Sequence, residues 1–576
     1  ATAPATLRTD TTSPAEARRV DRVRAPRPDW FDCSPLFGER TECATVKLPL
    51  DYDQPRGAQT EVAVLRIKAA NQKRKLGTLF LNPGGPGGSG VEIAAAAPFF
   101  LSPSLLARFD VVGMDPRGTN YSANVRCWPN VGAQAAALSG LNVAFPFLAA
   151  EKRAYIASAQ KFGRACSTTG KPLTAHMSTA NVARDMDVLR RTFGDTKLSY
   201  LGFSYGSYLG NVYANLFPDR VRAVAIDGVL DPIAWAGTLG NADVPQTARL
   251  RSGEGAAKAL DEILRRCTQA GPDYCMLAGT GNPRGTYARI VAALKKQPLA
   301  ITDEETGEVF FEITYAILVS FLLSDLYSPD GYSAVDFDLS FIWALLQDRA
   351  DPGSVKSAER ARATRALVGK FEDARAAEKA AKTRAAQGRA AVGGFAFPYF
   401  NGPEAFQSVL CTDGRNPADA NRWPTYADRA NATAPGFGPL WTWASAPCAS
   451  NTWTVRDTDA YAGPFTRRTS APVLVVGNYW DPATNYQGAV SAASLLPNSR
   501  LVSSDSWGHT AYGTSACVTG SVDRYLLTGA VPKPGTKCTG DVAPFTEPLE
   551  PPEGPESPES RRAAPPSRPL PPVVPP

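Results

Sequence analysis

The chain has 576 residues, which is longer than a typical single domain and long enough to bury a large hydrophobic core. Hydrophobic residues make up 44% of it and charged residues 20%, a balance typical of ordinary globular proteins and not of disordered or fibrous chains. The net charge of +6 is spread along the chain without a basic cluster, so we expect no nucleic-acid partner. The longest apolar run, residues 313–327, is shorter than a membrane span and contains Asp325, so we expect a buried or substrate-facing helix and no membrane span.

Residues 1–29 come first and are polar and rich in Pro and Arg, which predicts an extended arm. Residues 30–231 then contain strand-like apolar runs that alternate with helix-like segments. The runs at 77–85 and 109–118 are short and end in Gly/Pro loops. Runs of this kind predict buried parallel strands with functional loops at their carboxyl ends.

Strand patterns pause over residues 232–465, which are mainly helical in pattern. Within this stretch, residues 356–391 are rich in Ala, Arg, Lys and Glu, so we expect a charged, solvent-exposed helix there. The last two strand patterns lie in residues 466–542. The sequence therefore predicts an α/β core with a mostly parallel sheet, interrupted by a large helical cap. Residues 543–576 are rich in Pro and are expected to be a disordered tail.

The cysteines suggest the compartment. There are ten, an even number with no Cys-x-x-Cys pair, which argues against zinc and thioredoxin-like chemistry. Disulfides formed in an oxidising compartment are the better explanation, and the simplest scheme pairs each cysteine with its neighbour, because each pair then closes a local loop. Reduced, buried cysteines are the alternative. Residues 1–20 look like the start of a mature chain after removal of a signal peptide, so we expect a secreted protein.

Ser204 lies in Gly202-Phe203-Ser204-Tyr205-Gly206, which follows an apolar strand and begins a helix pattern. A G-x-S-x-G sequence between a strand and a helix is typical of the nucleophile elbow of an α/β-hydrolase. The amino end of the helix favours negative charge near the serine. Ser204 is therefore the candidate nucleophile, and an ordinary surface serine in a Gly-rich loop is the alternative.

A serine hydroxyl needs a base, and the chain contains only two histidines, His176 and His509. The chain order in this fold is Ser, acid, His, and only His509 follows Ser204. His509 is therefore the candidate base, while His176 is expected to be structural or to line a pocket. Asp481, after the penultimate strand, is the first choice for the acid that orients the imidazole, and Asp227 is the alternative.

Acyl transfer also needs hydrogen-bond donors for the developing oxyanion. The backbone N–H of Tyr205, directly after the nucleophile, is one candidate. The Gly-rich loop at residues 82–90 offers the other, because its glycines allow backbone conformations that turn N–H groups into a site. Gly85 is the first choice in this loop and Gly84 is the alternate. The prolines of the loop break the spacing of a dinucleotide-binding motif.

Several motifs, in the same order, resemble those of the secreted bacterial tripeptidyl aminopeptidases, a prolyl-aminopeptidase-like branch of the α/β-hydrolases. The matching segments lie between residues 40 and 540 and are NPGGPGGSG, DPRGT, GFSYGSYLG, DGVLDP, GNYWDPAT and WGHT. The resemblance implies a secreted bacterial enzyme that hydrolyses peptide bonds near a free amino terminus and releases tripeptides. It also implies Ser204, Asp481 and His509 as the triad. One departure is Pro83, which occupies the first position of a loop that usually begins His-Gly-Gly-Pro-Gly.

An exopeptidase must bind the substrate ammonium, a task suited to carboxylates. The cap stretch at residues 397–414 offers Glu404 and Asp413, which are the candidates, although a solvated Glu and a turn-forming Asp are equally good explanations. Asp185 and Asp187, in the helix before the elbow strand, are expected to be structural.

The triad by itself does not separate two enzyme classes. An esterase or lipase would use the same residues, and a dry apolar tunnel in the cap would favour it, whereas carboxylates at a fixed distance from Ser204 would favour a peptidase. A non-enzymatic surface protein is disfavoured by the complete Ser, Asp and His set. We expect peptide or protein amino termini as substrates, no metal or organic cofactor, and a monomer.

Overall fold

A computed structural model describes residues 8–302, 306–391, 395 and 400–549 of the protein. In these ranges the strands are β1 (Phe31–Asp32), β2 (Thr41–Pro49), β3 (Gln59–Ile67), β4 (Gly77–Asn82), β5 (Phe109–Met114), β6 (Leu198–Phe203), β7 (Val221–Asp227), β8 (Leu299–Thr302), β9 (Val309–Ile313), β10 (Val473–Trp480), β11 (Ser499–Trp507) and β12 (Lys537–Thr539).

The helices of the same ranges are α1 (Pro14–Asp21), α2 (Ser34–Phe37), α3 (Gly90–Phe100), α4 (Pro103–Arg108), α5 (Val131–Leu138), α6 (Ala149–Thr168), α7 (Thr179–Thr192), α8 (Tyr205–Leu216), α9 (Pro232–Ala236), α10 (Gln246–Arg249), α11 (Ser252–Ala270), α12 (Pro283–Lys296), α13 (Tyr315–Leu326), α14 (Gly331–Ala350), α15 (Ser357–Ala391), α16 (Gly402–Asp413), α17 (Trp423–Thr433), α18 (Phe437–Trp443), α19 (Tyr486–Leu495) and α20 (Ala516–Thr528). No helix in the described ranges is long and apolar enough to cross a membrane.

The central sheet has the strand order β1-β2-β3-β5-β4-β6-β7-β10-β11-β12 among the described residues. The pairs β1–β2, β2–β3 and β3–β5 are antiparallel, and every later pair is parallel. The mostly parallel sheet expected from the sequence is therefore present. Because β6, β7, β10 and β11 are parallel neighbours, their carboxyl ends meet at one edge, which is where sites of such sheets form.

Alternate side chains of the strands enter two hydrophobic cores, one on each face of the sheet. On β4, Leu79 and Leu81 belong to one core, and Phe80 between them belongs to the other. Burial on both faces explains why these strands are short continuous apolar runs in the sequence, without polar alternation. The result is a rigid scaffold for the loops at the carboxyl edge.

The chain between β7 and β10 forms α9–α18 and one small hairpin. The hairpin pairs β8 with β9 and is, among the residues that the structure describes here, the strand element that departs from the helical pattern expected for residues 232–465. Helix α13 carries the apolar run at 313–327, and most of its residues are buried, in line with the expectation of a buried helix.

Five disulfides join neighbouring cysteines, in the scheme that the sequence favours. They are Cys33–Cys43, Cys127–Cys166, Cys267–Cys275, Cys411–Cys448 and Cys517–Cys538. The described residues contain no free cysteine.

The prediction of an extended arm at residues 1–29 needs correction, because the middle of this segment forms helix α1. The Ser13 hydroxyl accepts the N–H of Glu16, and Pro14 is the first helical residue. Ser-x-x-Glu with Pro at that position is a helix-start pattern that the sequence reading missed. The Glu16 carboxylate is buried against Arg184 of α7, at 2.8 Å from both its Nε and Nη2 atoms. The arm is therefore packed on the core. Residues 1–7 lie outside the described residues.

The expected disordered tail also needs correction at its start. Residues 543–549 are described, and Phe545 is buried with its ring centroid 5.1 Å from that of Tyr332. The N–H of Leu549 donates to the carbonyl of Asp273 at 2.8 Å. These contacts attach the segment to the cap. Residues 550–576, the rest of the predicted tail, lie outside the described residues.

Candidate active site

Ser204 occupies the turn between β6 and α8 in a strained conformation. Its φ is 57° and its ψ is −127°, a region that residues with a side chain seldom adopt. Two backbone hydrogen bonds hold this turn: the Ser204 N–H donates to the Asp227 carbonyl at 2.9 Å, and Ser207 N–H donates to the Ser204 carbonyl at 2.8 Å. A Cβ on Gly202 would lie 2.5 Å from the Gly206 carbonyl oxygen, so glycine is required for strand and helix to approach this closely. This is the elbow geometry that the sequence predicts.

The imidazole of His509 is held by Asp481. The His509 Nδ1 atom lies 2.9 Å from each carboxylate oxygen, and both side chains are buried. The carboxylate also accepts the hydroxyl and N–H of Thr484, at 2.7 and 2.8 Å, and the N–H of Thr510 at 3.1 Å. Burial alone raises the pKa of Asp481, but the charge and hydrogen bond of His509 and the Thr484 contacts outweigh it, so the pKa lies below its ordinary value. An ionised Asp481 on Nδ1 leaves Nε2 available for a second partner.

Asp227, the alternative acid, braces the histidine loop from behind. Its carboxylate accepts the backbone N–H of Tyr512 at 2.7 Å and that of Ala511 at 3.0 Å. Burial raises its pKa to about 6, against the lowering effect of these hydrogen bonds. Because His509 Nδ1 contacts Asp481 and the Asp227 oxygens bind backbone groups, the geometry favours Asp481 as the orienting acid.

The Gly-rich loop lies directly against the elbow. A Cβ on Gly84 would lie 2.5 Å from the Phe203 carbonyl oxygen, 2.7 Å from the Ser204 Cβ and 2.9 Å from the Tyr205 nitrogen. The φ angles of Gly84 and Gly85 are +94° and +107°, both outside the ordinary range of other residues. The Gly84 N–H already donates to Asn82 Oδ1 at 2.9 Å, which favours Gly85 as the second oxyanion donor.

A segment of the cap covers the histidine. The ring of Tyr327, directly after α13, meets the His509 ring edge-on at 5.1 Å between centroids, and the Tyr327 carbonyl accepts the His509 N–H at 3.0 Å. Gly508 is packed so closely that a Cβ there would lie 2.9 Å from the Pro329 nitrogen. Sequence reasoning missed Tyr327, because no local pattern links it to a histidine 182 positions later.

Glu404 is fully buried in the first turn of α16. The Nε2 of Gln134 on α5 donates to its Oε2 at 2.7 Å. The residues after it pack on the Gly-rich loop, since a Cβ on Gly87 would lie 3.1 Å from the Phe406 nitrogen and 3.3 Å from the Ala405 Cβ. Glu404 is therefore a buried carboxylate on the turn of α16 that packs on the Gly-rich loop, not a solvated surface residue.

Asp413, at the other end of α16, is buried with both carboxylate oxygens in use. Its Oδ1 accepts the Thr179 N–H at 2.7 Å, and its Oδ2 accepts the Thr179 hydroxyl and the Trp235 Nε1–H, the latter at 3.0 Å. Burial raises the pKa of Asp413 to about 7, although these hydrogen bonds lower it. The prediction that Asp413 binds a substrate ammonium gains no support from this arrangement, which suits a bracing role.

The remaining polar candidates are parts of buried networks. Asp185 accepts two hydrogen bonds from Arg117, at 2.6 and 2.8 Å, and one from Tyr52 at 2.7 Å. The carbonyl of His176 accepts a further Arg117 N–H at 3.2 Å. Asp187 accepts a hydrogen bond from Tyr213 at 2.9 Å and pairs with two arginines. These contacts agree with the structural roles expected for both aspartates, whereas His176 contributes only its backbone carbonyl to this network, so its expected role, structural or pocket-lining, stays a prediction.

Comparisons with known proteins place this geometry in a family. Residues 77–270 match the family model described as "alpha/beta hydrolase fold", and residues 434–538 match that described as "TAP-like protein". The tripeptidyl aminopeptidase of Streptomyces coelicolor is 30% identical over 546 residues, which cover 92% of this chain and 90% of that protein. Serine protease Hip1 of Mycobacterium tuberculosis is 31% identical, covering 86% of this chain and 87% of that protein. Carboxylesterase B of the same species is 31% identical, with 90% and 91% covered.

The matches extend over nearly the whole chain and over nearly the whole of each relative. They include both halves of the core, so the elbow and the histidine loop both lie within the matched segments. The chain belongs to the tripeptidyl aminopeptidase-like family of α/β-hydrolases and is a serine hydrolase.

Proposed function

We propose that the protein is a secreted bacterial serine exopeptidase that hydrolyses peptide bonds near a free amino terminus and releases tripeptides through an acyl-enzyme on Ser204. The observation that carries the proposal is the His509–Asp481 pair at the carboxyl edge of the sheet that also presents Ser204. A Cβ on Gly228 would lie 3.1 Å from His509 Cε1, and Gly228 follows the residue whose carbonyl binds the Ser204 N–H. The imidazole is therefore next to the elbow.

In the proposed mechanism, His509 Nε2 takes the proton of Ser204 Oγ while that oxygen attacks the peptide carbonyl carbon. The carbonyl oxygen becomes an oxyanion between the N–H groups of Tyr205 and Gly85. The imidazolium, stabilised by Asp481, then gives the proton to the leaving amine. His509 then deprotonates a water that attacks the carbonyl carbon of the acyl-enzyme. The bond from that carbon to Ser204 Oγ breaks, the tripeptide leaves with a free carboxyl group, and His509 returns the proton to Ser204.

Glu404 is the proposed anchor for the substrate ammonium. A buried carboxylate forms its strongest hydrogen bonds with a cationic donor. Its place on the turn of α16 that packs on Gly87 relates it to the oxyanion loop, and the Gln134 amide holds one of its oxygens. An ammonium site at a fixed distance from Ser204 would set the number of residues between the substrate's amino terminus and the bond that is cleaved.

The test compares a free-amino peptide with its acetylated twin and identifies the products by mass. We expect tripeptides from the free peptide, little cleavage of the acetylated one, and no turnover by Ser204→Ala. Glu404→Gln should raise KM for the free peptide only. Asp428→Asn, which removes a carboxylate that is 74% exposed on the cap, is the charge-matched control and should leave both substrates unchanged. Equal cleavage of the two peptides would contradict the exopeptidase assignment.

A secreted esterase is the second candidate, favoured by the similarity to a carboxylesterase over 90% of the chain. The two functions predict opposite preferences, because an esterase has no use for a free ammonium. Hydrolysis of an acetylated ester at a rate far above that of any free-amino peptide would favour the esterase.

Secretion and a monomeric state complete the proposal. The five disulfides support an oxidising compartment. Fractionation of the source cells tests the location, and light scattering of the purified chain tests the monomer.

A further inference from the structure

We infer that a hydrogen-bond chain running from Asp413 through Thr179 to the Tyr205 hydroxyl positions the backbone N–H of Tyr205 that stabilises the oxyanion. Thr179 and Asp413 would then be positioning residues for catalysis, and the cap would hold part of the oxyanion site. The inference rests on the proposed role of the Tyr205 N–H.

Tyr205 has one end at the elbow and the other in the protein interior. Its nitrogen lies beside Ser204 and Gly84, while its buried hydroxyl is hydrogen-bonded to the hydroxyl of Thr179. Thr179 begins α7, and its N–H and hydroxyl both donate to Asp413, the last residue of α16. A residue of the cap thus reaches the elbow through one intermediate side chain.

The direction of the hydrogen bonds follows from the number of protons. When Asp413 is ionised, its carboxylate only accepts, so the single hydroxyl proton of Thr179 goes to Asp413. Tyr205 must therefore donate its proton to Thr179. Each polar side chain of this network is hydrogen-bonded, and the buried, low-dielectric surroundings strengthen such bonds.

The ring of Tyr205 is fixed as well. Its centroid lies 5.3 Å from that of Trp235 and 6.4 Å from that of Tyr208. The Trp235 indole N–H donates to the same Asp413 carboxylate that ends the chain, at 3.0 Å. The Asp413 carboxylate therefore holds the Tyr205 hydroxyl indirectly, through Thr179. It also holds Trp235, against which the Tyr205 ring packs.

Side-chain anchoring matters because the peptide between Ser204 and Tyr205 is in a strained turn. Because φ of Ser204 is 57°, this peptide plane has few other orientations that keep the helix and the elbow intact. Rotation of the Tyr205 Cα–Cβ direction rotates the N–H that must point at the oxyanion. A tyrosine that is merely buried needs one hydrogen-bond partner for its hydroxyl. The hydrogen-bond chain does more, because it ties the Tyr205 hydroxyl to a carboxylate of the cap and thereby fixes the orientation of the Tyr205 side chain.

The test uses Thr179→Val, which removes the hydroxyl and keeps the shape, and Thr179→Ser, which restores the hydroxyl. Tyr205→Phe cuts the same chain at its other end. Tyr208→Phe is the matched control, because its ring belongs to the same aromatic cluster but its hydroxyl donates to the Tyr461 carbonyl, at 3.3 Å. For each variant, kcat and KM are measured on a free-amino peptide and on an activated ester. The affinity for a peptide boronic acid, which forms a tetrahedral adduct with the nucleophile, is measured alongside.

We expect Thr179→Val and Tyr205→Phe to lower kcat on both substrates by about tenfold or more, because small displacements of catalytic groups have effects of this size. Boronic acid affinity should fall in parallel, while KM stays within about twofold. Thr179→Ser and Tyr208→Phe should behave like the parent chain. A purely structural role would lower the melting temperature without this selective loss of adduct affinity.

Two outcomes overturn the inference: Thr179→Val with the kcat and adduct affinity of the parent, or Tyr208→Phe with the same losses as Tyr205→Phe. If Thr179→Val fails to fold, the comparison of Tyr205→Phe with Tyr208→Phe decides. The ester separates this inference from the proposed function, because a parent chain that hydrolyses the ester but no peptide refutes the exopeptidase and still allows the hydrogen-bond chain to be tested.

Discussion

Replacement of Gly84 by alanine tests whether the Gly-rich loop, the proposed source of the second oxyanion donor, must lie against the elbow. The new Cβ would meet the Phe203 carbonyl oxygen at 2.5 Å, the Ser204 Cβ at 2.7 Å and the Tyr205 nitrogen at 2.9 Å. Ordinary contact begins near 3.4 Å, so the loop must retreat by about 1 Å. A displacement of that size costs about 10²-fold in rate, and the loss of a single oxyanion donor costs a similar factor.

The stability change has two parts. A positive φ of +94° imposes about 1–3 kcal/mol of backbone strain on alanine, and overpacking adds about 1–3 kcal/mol. Gly194→Ala separates these parts, because Gly194 has φ +85° but an added Cβ would meet no atom within 4 Å. The control should therefore show the strain alone.

The assays are urea unfolding for the free energy and kcat/KM on the free-amino peptide and the activated ester. We expect Gly84→Ala to lose about 10²-fold in kcat/KM on both substrates, and Gly194→Ala to lose stability with unchanged activity. The reasoning is refuted if Gly84→Ala keeps activity within about threefold of the parent, or if Gly194→Ala loses as much activity.

Three further changes probe the site and its support. Asp481→Asn should lower kcat by about 10⁴-fold in steady-state assays, because the amide no longer stabilises the imidazolium; Asp227→Asn losing more would instead favour the rival acid. Asp185→Asn should lower the free energy of unfolding by about 3–5 kcal/mol in urea titrations, since it leaves the Arg117 guanidinium buried without its counter-charge, and a loss below about 1 kcal/mol would count against the buried pair. Removal of the Cys411–Cys448 disulfide, which joins residues 37 positions apart, should cost about 4 kcal/mol by chain entropy; calorimetry with unchanged stability would show that packing alone holds α16.

Part of the site could be predicted because its evidence is local. Ser204 lies between a strand pattern and a helix pattern, and the elbow requires only those neighbours and two glycines. His509 followed from scarcity, since the chain has two histidines and the order of the fold leaves one. The choice of Asp481 as the acid required structural evidence, because Asp227 also lies at the end of a strand at the same sheet edge. The Nδ1 contact of His509 separates them geometrically.

The departures have equally specific causes. Helix α1 departs from the prediction because a polar, Pro-rich composition favours an extended chain, whereas Ser13 and Glu16 locally favour a helix start. The first residues of the predicted tail are attached to the cap because Phe545 packs on Tyr332. A single aromatic residue in a Pro-rich stretch does not predict such a contact. The hairpin of β8 and β9 lies in a stretch whose overall pattern is helical.

The sequence by itself indicated most strands and helices of the core, the mostly parallel sheet and the candidate nucleophile with its only suitable histidine, and it favoured, without establishing, the pairing of neighbouring cysteines. Each of these depends on residues near one another or on a count. Only the tertiary structure decided what surrounds Ser204. It placed Tyr327 on His509, brought Asp413 to Thr179 across 234 positions of sequence, and packed the turn of α16 that carries Glu404 on the Gly-rich loop. These contacts arise from how the cap packs on the core, and no local periodicity records which distant side chains that packing brings together.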